Sequence, residues 1–353
     1  MKALKTIKEL LKVGEAALIF TPVARQYLSG FRSSLGYLFI TPNHTVLFVD
    51  GRYIEAAETA VSKDAEVLLI TDLSNQVKKF LAQNTITTLI TETSVTVGDI
   101  NDFEKLFGVS VCPSQSLEGK IKSLRLIKSE SEIESISKAQ QITEKAFDDI
   151  LNFIRPGVTE NEIAARLEYV MKVNGSEEPS FSTIAVSGQK TSMPHGTSAD
   201  VKVNLGDFIT MDFGAVYGGY HSDMTRTVAL GGVTDEMQKV HDTVLSANIK
   251  ALEMVKAGVT AAEVDLAARD IITSAGYGEY FTHSTGHGVG LDIHEAPTVS
   301  FKNTSPLLEG TIITIEPGIY IKGKFGVRIE DMVVVTKNGC NNLTKAPKSL
   351  III

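Results

Sequence analysis

The chain has 353 residues, 43% of them hydrophobic and 22% charged, which is typical of a globular protein long enough for about two domains. Its formal net charge of −8, with acidic and basic residues interspersed, argues against nucleic acid or an anionic membrane as the main partner. The only two cysteines, Cys112 and Cys340, provide neither a disulfide framework nor a C-x-x-C metal motif, and this favours a reducing compartment.

The first 20 residues, MKALKTIKELLKVGEAALIF, are interrupted by charged side chains and lack the continuous apolar stretch of a signal peptide. No later window approaches the ~20 apolar residues of a membrane span. We therefore expect a cytoplasmic protein that has no membrane partner.

Residues 1–112 alternate short helical and strand patterns, which predicts an α/β domain with its own sheet. The sequence GYLFITPNHTVLFVD predicts a β-hairpin with its turn at Thr41–His44. The further elements that we predict are a helix from about 53, a strand at 66–70, a helix at 73–83, a strand at 88–91, a helix at 99–107 and a strand at 109–112. Since residues 113–128 show little periodicity, we place the boundary there and expect domains at 1–120 and 129–353.

Helix-capping motifs recur in the second domain. Ser129–Glu132 is an S-x-x-E capping box that opens a long amphipathic helix. The sequence G-V-T-x-x-E then occurs at Gly157–Glu162 and again at Gly258–Glu263, an offset of 101 residues, each time after a long helix. This recurrence suggests an internal repeat.

Acidic residues repeat with the same order. Asp212 and Glu316, at an offset of 104 residues, each end an apolar strand shortly before a glycine. Each is followed by a second acid, Asp223 or Glu330, on the expected return strand, at an offset of 107. We therefore predict two halves, 129–230 and 231–353, related by a pseudo-two-fold axis that brings the four carboxylates together. Chance similarity between two helix–strand units is the alternative, and the shared order of caps, strands and acids argues against it.

Four buried carboxylates require a compensating positive charge. Two of them about 4 Å apart repel by roughly 4 kcal/mol at an effective dielectric of 20. Two divalent cations would neutralise the set, and acids shared between them would hold the ions about 3.5–4 Å apart, a spacing suited to activating a bridging water. One such acid alone would be interpreted as a turn residue or a surface ion pair.

Histidines in glycine-rich surroundings offer nitrogen ligands. The sequence HSTGHGVGLDIHEAP contains His283, His287 and His294, and His195 occurs in the similar context MPHG. The glycines at 286, 288 and 290 predict close backbone approach. We expect one histidine to bind a metal and the others to contact substrate or to support neighbouring groups.

The ordered set of candidate ligands resembles that of the dinuclear metallopeptidases with the pita-bread fold, the group of methionine aminopeptidase, aminopeptidase P and prolidase. The set and its motifs are Asp212, Asp223, His287, Glu316 and Glu330 within ITMDFG, SDMTRT, GHGVGLDIHE, TIEPGIY and VRIEDM. The resemblance covers about residues 129–353, and the first 112 residues resemble the creatinase-type N-terminal domain of the proline-specific branch. The resemblance implies a protein of the α/β (α+β) fold class. In it, a creatinase-like domain would precede a pita-bread catalytic domain with an internal repeat. The implied activity is that of an Xaa-Pro dipeptidase or Xaa-Pro aminopeptidase.

The resemblance also implies roles for metal-binding residues. Asp212 would bind one ion, His287 and Glu316 the other, and Asp223 and Glu330 would bridge the two. Glu316 would in addition accept and transfer the proton of the attacking water.

Roles at the substrate follow in the same way. His195 and His294 would contact substrate and stabilise the tetrahedral oxyanion or the leaving proline nitrogen, and His283 would lie near the carboxyl side of the substrate. Arg328 precedes Glu330 by two residues, a spacing that predicts the same face of one strand. It would bind substrate or order the site by pairing with an acid, and a simple salt bridge is an equally good interpretation.

The implied cofactors are two divalent metal ions per chain. Four oxygen donors and one imidazole favour Mn²⁺, while Co²⁺, Zn²⁺ and Fe²⁺ stay open. The implied substrates are proline-containing dipeptides or longer peptides, and analogy suggests a homodimer. Two alternatives stay open, a metal-free binding module with the same fold and a creatinase-like hydrolase. The motifs do not decide between dipeptidase and aminopeptidase.

Overall fold

The structure is a computed structural model that describes residues 2–353. The chain forms two compact units, one ending at Arg125 and the other comprising Leu126–Ile353. Within the described residues, no helix combines the length and the apolar character needed to cross a membrane.

The first unit is a six-stranded mixed sheet covered by helices. Its helices are α1 (Lys2–Lys8), α2 (Pro22–Ser29), α3 (Ile54–Ala60), α4 (Leu73–Gln83), α5 (Val97–Phe107) and α6 (Gln115–Leu126). Its strands are β1 (Glu15–Ile19), β2 (Tyr37–Ile40), β3 (Thr45–Val49), β4 (Glu66–Leu69), β5 (Thr88–Thr91) and β6 (Ser110–Pro113), in the order β4-β3-β2-β1-β5-β6. Alternate residues of β1, β2 and β3 belong to two separate apolar clusters, so both faces of the sheet are covered.

The predicted hairpin is confirmed, since β2 and β3 pair antiparallel and the backbone N–H of Thr41 donates to the carbonyl of His44 at 2.7 Å. Helices α2 and α6 were not predicted. The signals for α2 were a proline in its first turn and Gly30, with φ of 75°, at its end. In α6, only Leu117 and Ile121 are buried, and so short an apolar face gives little periodicity.

The second unit contains the repeat. Its helices are α7 (Glu130–Phe153), α8 (Glu160–Val173), α9 (Asp235–Met254) and α10 (Ala261–Ser274). The strands of its first half are β7 (Ile184–Ser187), β8 (Phe208–Phe213), β9 (Val216–Tyr217), β10 (Tyr220–His221) and β11 (Met224–Ala229). Those of the second half are β12 (Gly286–Gly288), β13 (Glu295–Val299), β14 (Ile312–Ile315), β15 (Gly318–Ile321), β16 (Phe325–Arg328), β17 (Asp331–Val335) and β18 (Cys340–Asn342).

Each half places two helices before an antiparallel pair of strands that is interrupted by a small hairpin. In the first half β8 pairs with β11 around the β9–β10 hairpin, and in the second β14 pairs with β17 around β15–β16. The two halves differ in register, because Asp212 lies opposite Thr225 within its ladder whereas Glu316 lies just beyond β14. The expectation that the second acids lie on return strands is wrong in detail, since Asp223 and Glu330 immediately precede β11 and β17.

The predicted capping boxes are confirmed at the N-termini of α7, α8 and α10. The side chains of the capping residues Ser129, Thr159 and Thr260 each accept a hydrogen bond from the backbone N–H of the glutamate three residues later, and the carboxylate of that glutamate accepts one from the backbone N–H of the cap. Substituting such a cap lowers the stability of the protein by about 1 kcal/mol. The caps therefore help to define where these helices begin. The backbone before each repeated cap also pairs equivalently, Gly157 with Val203 and Gly258 with Leu307.

Candidate active site

All nine candidate site residues line one cavity of about 550 Å³ in the second unit. They are Asp212, Asp223, His287, Glu316, Glu330, His195, His283, His294 and Arg328. Strands β8, β12 and β16 carry Asp212, His287 and Arg328, and the other six lie in the segments between strands. The remaining wall is formed by Phe181, Ser182, Ile184, Pro194, Ser284, Gly286, Ile293 and Thr298.

Asp223, His287 and Glu330 form the tightest group, since one ligand atom from each lies within 4.8 Å of the others. The Nε2 atom of His287 is 3.5 Å from Asp223 Oδ2 and 3.4 Å from Glu316 Oε1. Its other nitrogen, Nδ1, lies 3.0 Å from the carbonyl oxygen of Gly288. This contact orients Nε2 toward the acids, the arrangement that protein metal sites use to direct an imidazole ligand.

The carboxylates are held by hydroxyl and backbone groups of neighbouring strands. Thr225 Oγ1 donates to Glu330 Oε2 at 2.8 Å, and Thr314 Oγ1 donates to Glu316 Oε1 at 3.1 Å. The backbone N–H of Glu316 donates to the carbonyl of Thr285 at 2.7 Å. Each hydroxyl bond uses one lone pair of its carboxylate, so the other lone pairs are available to a cation.

Asp212 is the acid of this cluster whose carboxylate has an unpaired oxygen. Its Oδ2 accepts a hydrogen bond of 2.6 Å from Arg328 Nη2, whereas its Oδ1 is buried without a hydrogen-bond partner. Buried acceptors nearly always have a partner, and an orphaned carboxylate oxygen beside other acids fits a position where a cation binds. The donor set of carboxylates and one imidazole therefore fits divalent metal ions.

The pKa values of this cluster reflect burial and crowding of like charges. Burial raises the pKa of Asp223 to about 7, opposed by the hydrogen bond from His287 and reinforced by the charge of Asp212. Burial also raises the pKa of Glu330 well above its ordinary value, with Asp223 and Glu316 adding to the effect, and it raises the pKa of Glu316. Burial disfavours the imidazolium of His287, yet its hydrogen bond to Asp223 and the charge of Glu316 raise its pKa to about 9. The acids cannot all ionise unless positive charge is supplied nearby.

Arg328 is buried, and almost all of its guanidinium N–H groups donate hydrogen bonds within the protein. Its Nε donates to Thr225 Oγ1 at 2.9 Å, and its Nη1 donates to the hydroxyl of Tyr320 at 2.9 Å and to the carbonyl of Pro194 at 3.2 Å. Together with the bond from Nη2 to Asp212, four of the five guanidinium N–H groups therefore have acceptors within the protein. The structure thus pairs Arg328 with an acid and leaves one N–H for another group.

Tyr320 is a site residue that the sequence analysis missed. Its hydroxyl accepts from Arg328 Nη1 and lies 2.8 Å from His283 Nε2, while His283 Nδ1 lies 2.8 Å from the carbonyl of Ser284. Since that carbonyl can only accept, Nδ1 carries the proton and Nε2 accepts from Tyr320. Burial raises the pKa of Tyr320 to about 12 and lowers that of His283 to about 4, so both are neutral in this chain of hydrogen bonds. The available signal was the motif TIEPGIY, in which Tyr320 lies on the strand that follows Glu316.

His195 and His294 are the exposed histidines of the cavity. The ring of His294 packs edge-on against His287 with centroids 4.4 Å apart. Burial and then the charge of His287 lower the pKa of His294. Their exposure makes these two rings the histidines best placed to contact a molecule that enters the cavity.

The predicted close approach at the glycines is confirmed. A Cβ atom at Gly286 or Gly288 would overlap the backbone carbonyl of Thr314 or Ala296, and one at Gly290 would overlap the carboxylate of Glu295. These glycines therefore let the strand carrying His287 pack between its neighbours.

Charged side chains on α8 and α10 hold the segments that carry histidines, and sequence analysis missed them too. On α8, Glu160 accepts from the backbone of Ser187 at 2.8 Å and of Ala199 at 3.1 Å, which flank His195. On α10, Asp265 accepts from the backbone of Thr285 at 3.0 Å, and Arg269 Nη2 donates to the carbonyl of His283 at 2.8 Å. Charged residues in helices usually face solvent, so no local pattern indicated that these would be buried.

Two family descriptions match most of the chain. Residues 134–337 match metallopeptidase family M24, and residues 7–127 match the creatinase/prolidase N-terminal domain. Among curated proteins, the Xaa-Pro dipeptidase of Pyrococcus horikoshii is 40% identical over 96% of this chain and 94% of its own length. That of Pyrococcus furiosus is 38% identical over 96% of this chain and 95% of its own.

Solved structures resemble the whole chain. An Xaa-Pro dipeptidase from Bacillus anthracis has a TM-score of 0.94 at 38% identity and covers 100% of this chain and 98% of its own. An X-Pro aminopeptidase from Thermotoga maritima has a TM-score of 0.92 at 39% identity, with 98% and 99% of the two chains covered.

Proposed function

The chain belongs to metallopeptidase family M24, and on this basis we propose that it hydrolyses the peptide bond between an N-terminal residue and a following proline. The observation that carries the proposal is the convergence of four carboxylates and His287 on one cavity, in a chain similar throughout to Xaa-Pro dipeptidases. The alternatives, a metal-free binding module and a creatinase-like hydrolase, lack comparable support.

We propose that five residues hold two divalent ions. Asp212, Asp223, His287, Glu316 and Glu330 would be their ligands. The orphaned Oδ1 of Asp212 and the raised pKa values of Asp223 and Glu330 support this assignment. When bound, the ions would activate a water at neutral pH and polarise the scissile carbonyl.

The chain's own residues would then orient the substrate and move its protons. Glu316, whose Oε1 is fixed by Thr314, accepts a proton from the attacking water and transfers it to the leaving proline nitrogen. The exposed rings of His195 and His294 donate to the developing oxyanion or to the substrate carbonyl. His283 has both ring nitrogens engaged, so it shapes the cavity wall through Tyr320.

Proline suits this cavity for two reasons. An X-Pro bond is a tertiary amide without an N–H. Peptidases that need a strand-type hydrogen bond from this N–H therefore bind the bond poorly. A site that acts on the carbonyl group does not need that hydrogen bond. The side chains of Phe181, Ile184, Pro194 and Ile293 line the cavity and offer apolar surface to a pyrrolidine ring.

Among the two classes of Xaa-Pro peptidase, we propose a dipeptidase. The similarity to Xaa-Pro dipeptidases supports this, while the Thermotoga maritima structure supports an aminopeptidase equally well by shape. A dipeptidase must bind the free carboxylate after proline. Since Arg328 offers a single N–H, that carboxylate would also rely on whichever of His195 and His294 does not contact the scissile carbonyl.

The deciding experiment compares an Xaa-Pro dipeptide with an Xaa-Pro-Yaa-Zaa peptide on protein stripped of metal and reconstituted with Mn²⁺. We expect proline release from the dipeptide to have the higher kcat/KM, and Asp223→Asn to abolish turnover of both. Faster cleavage of the longer peptide would identify an aminopeptidase. Absence of turnover with either peptide would refute the proposed function.

Three finer proposals accompany this one. Mn²⁺ is proposed as the ion because oxygen donors outnumber nitrogen, and metal analysis of the purified protein would distinguish it from Co²⁺, Zn²⁺ and Fe²⁺. A homodimer is proposed by analogy and is measured by light scattering after gel filtration. A cytoplasmic setting is proposed because Cys112 and Cys340 are both free thiols.

A further inference from the structure

A buried ion pair adjoins His294, one of the candidate site residues. Lys128 Nζ is 3.2 Å from Glu295 Oε2, and the two side chains are 1% and 7% exposed. Lys128 lies just before the cap of α7, and Glu295 begins β13 directly after His294. The pair joins positions 167 residues apart in the chain. A lysine buried to this degree is rare in proteins and calls for an explanation.

The Glu295 carboxylate lies at the centre of the turn that carries His294. Its Oε1 accepts from the backbone N–H of Asp292 at 3.1 Å, and it occupies the space where Gly290 would need a Cβ. The N–H of Gly290 donates to the carbonyl of Asp292 at 3.0 Å, closing the turn. The segment 288–296, here named the His294 turn, is therefore folded around this carboxylate.

Lys128 belongs to a firmly anchored part of the unit. Its backbone N–H donates to the carbonyl of Gly310 at 3.0 Å, and Gly310 donates to the carbonyl of Val335 at the end of β17. The next residue, Ser129, forms the capping box of α7. The ammonium group thus provides a fixed point to which the His294 turn is attached.

Charge explains why the turn depends on the lysine. A buried carboxylate is costly unless a cation or several donors compensate it. Without the ammonium group, Glu295 would retain its charge in the interior of the turn and would be driven toward water. Because His294 is the adjacent residue, movement of Glu295 displaces the His294 ring from its contact with His287.

We propose that Lys128 is a positioning residue, which acts through Glu295 to hold His294 in its orientation toward the substrate. Its effect on catalysis rests on the proposed function, whereas its effect on the His294 ring does not. Lys128 lines neither the cavity nor the cluster of candidate ligands.

The test combines kinetics with histidine NMR. We expect Lys128→Met to lower kcat by between about ten- and a hundredfold with little change in metal content, and Lys128→Arg to restore most of the loss. If Lys128 acts through His294, the double variant Lys128→Met/His294→Ala should be no slower than His294→Ala alone. Effects of the two substitutions that multiply would overturn the proposal.

The NMR experiment does not depend on whether the protein shows peptidase activity. In protein labelled at the histidine rings, the His294 signal is assigned by its loss in His294→Ala. We expect that signal to shift or broaden in Lys128→Met, while the His283 signal stays in place. An unchanged His294 signal would contradict the proposal, even if the wild-type protein showed no Xaa-Pro peptidase activity.

A second variant guards against a failure of Lys128→Met to fold. Lys128→Met/Glu295→Gln removes both charges and keeps an amide oxygen for the N–H of Asp292. We expect this protein to fold and still to show a kcat reduced by about tenfold, because the turn has lost its attachment. A wild-type kcat together with a wild-type His294 signal would show that the pair is not needed.

Discussion

Arg328 and Asp212 form a close, largely buried pair in the cavity wall, with Nη2 2.6 Å from Oδ2 and side chains that are 4% and 15% exposed. The guanidinium bonds to one carboxylate oxygen, and the other, Oδ1, is buried without a hydrogen-bond partner. Arg328 thereby fixes the direction in which Asp212 presents its remaining lone pairs. This geometry favours a role for Arg328 in ordering a metal ligand rather than in clamping a substrate carboxylate through two bonds.

Arg328→Lys tests this interpretation. Lysine keeps the charge, but its compact ammonium group cannot reach Thr225, Tyr320 and Asp212 together as the planar guanidinium does. We expect kcat to fall by roughly a hundredfold while KM for the dipeptide changes little, since a misplaced ligand affects the chemical step. Steady-state kinetics and metal titration would measure both effects. A higher KM with an unchanged kcat would instead assign Arg328 to substrate binding.

The pKa values of Asp223 and His287 predict how metal-dependent stability varies with pH. In the metal-free protein, the carboxyl of Asp223 has its pKa raised from 3.8 to about 7, so its ionisation costs stability as pH rises through this range. For His287 the pKa is raised from 6.5 to about 9, so stabilisation present below 6.5 is lost as pH rises toward 9. Both changes make the metal-free protein less stable at higher pH.

Added Mn²⁺ should therefore raise Tm more at pH 8 than at pH 5.5, because bound cations replace the protons and compensate the ionised acids. Thermal denaturation with and without Mn²⁺ at the two pH values measures the difference. Asp223→Asn serves as the control, since it removes one of the two titrating groups and should flatten the pH dependence of the metal-free protein. An equal increase in Tm at both pH values would count against the assignment of these residues as ligands.

Tyr320→Phe breaks the hydrogen-bond chain from Arg328 to His283. The change leaves His283 Nε2 without its donor and removes one acceptor of Arg328 Nη1, both in the interior. Unsatisfied buried groups of this kind cost about 1–3 kcal/mol, so we expect the free energy of unfolding to fall by that amount. We also expect kcat/KM to fall by about tenfold, since both neighbours line the cavity.

Urea unfolding and steady-state kinetics would measure these two effects. Tyr217→Phe is the matched control, because Tyr217 is 40% exposed and removal of its hydroxyl should leave stability within about 0.5 kcal/mol of wild type. Equal behaviour of the two variants would show that the hydroxyl of Tyr320 contributes nothing to the site.

Sequence reasoning predicted the convergence of the four acids because they follow a repeated local pattern. Asp212 and Glu316 each occur where an apolar strand gives way to a glycine, and this contrast is visible without knowledge of tertiary contacts. The capping boxes at Thr159 and Thr260 are equally local, since cap and glutamate are three residues apart. Two local signals in the same order were sufficient to predict a repeat.

Other buried charged residues could not be predicted in the same way. Lys128 and Asp265 look like ordinary polar positions beside or within amphipathic helices, and their burial depends on segments that fold against them from elsewhere in the chain. Helix α6 was missed for a related reason, because its buried face comprises only Leu117 and Ile121. Burial by distant segments leaves no periodic trace in the sequence.

Glu160→Gln tests whether a buried carboxylate on α8 holds the segment that carries His195. Glu160 is fully buried and accepts from the backbone N–H groups of Ser187 and Ala199, and it pairs with Lys190. Glutamine has the same shape but only one acceptor oxygen, and its amide group would face donors. We therefore expect a loss of about 1–3 kcal/mol in the free energy of unfolding, together with a fall in kcat of about tenfold as His195 moves.

Glu134→Gln is the matched control for this change, since Glu134 lies exposed on α7 and the substitution should shift stability by no more than about 0.5 kcal/mol. Urea unfolding monitored by circular dichroism gives the stability of both variants, and steady-state kinetics gives kcat. The double variant Glu160→Gln/Lys190→Met should be closer to wild type in stability than Glu160→Gln alone, because it removes the partly buried ammonium group that lost its partner. If Glu160→Gln matches the Glu134 control in both stability and kcat, the carboxylate does not hold the His195 segment, and the position of that histidine must be set by other contacts.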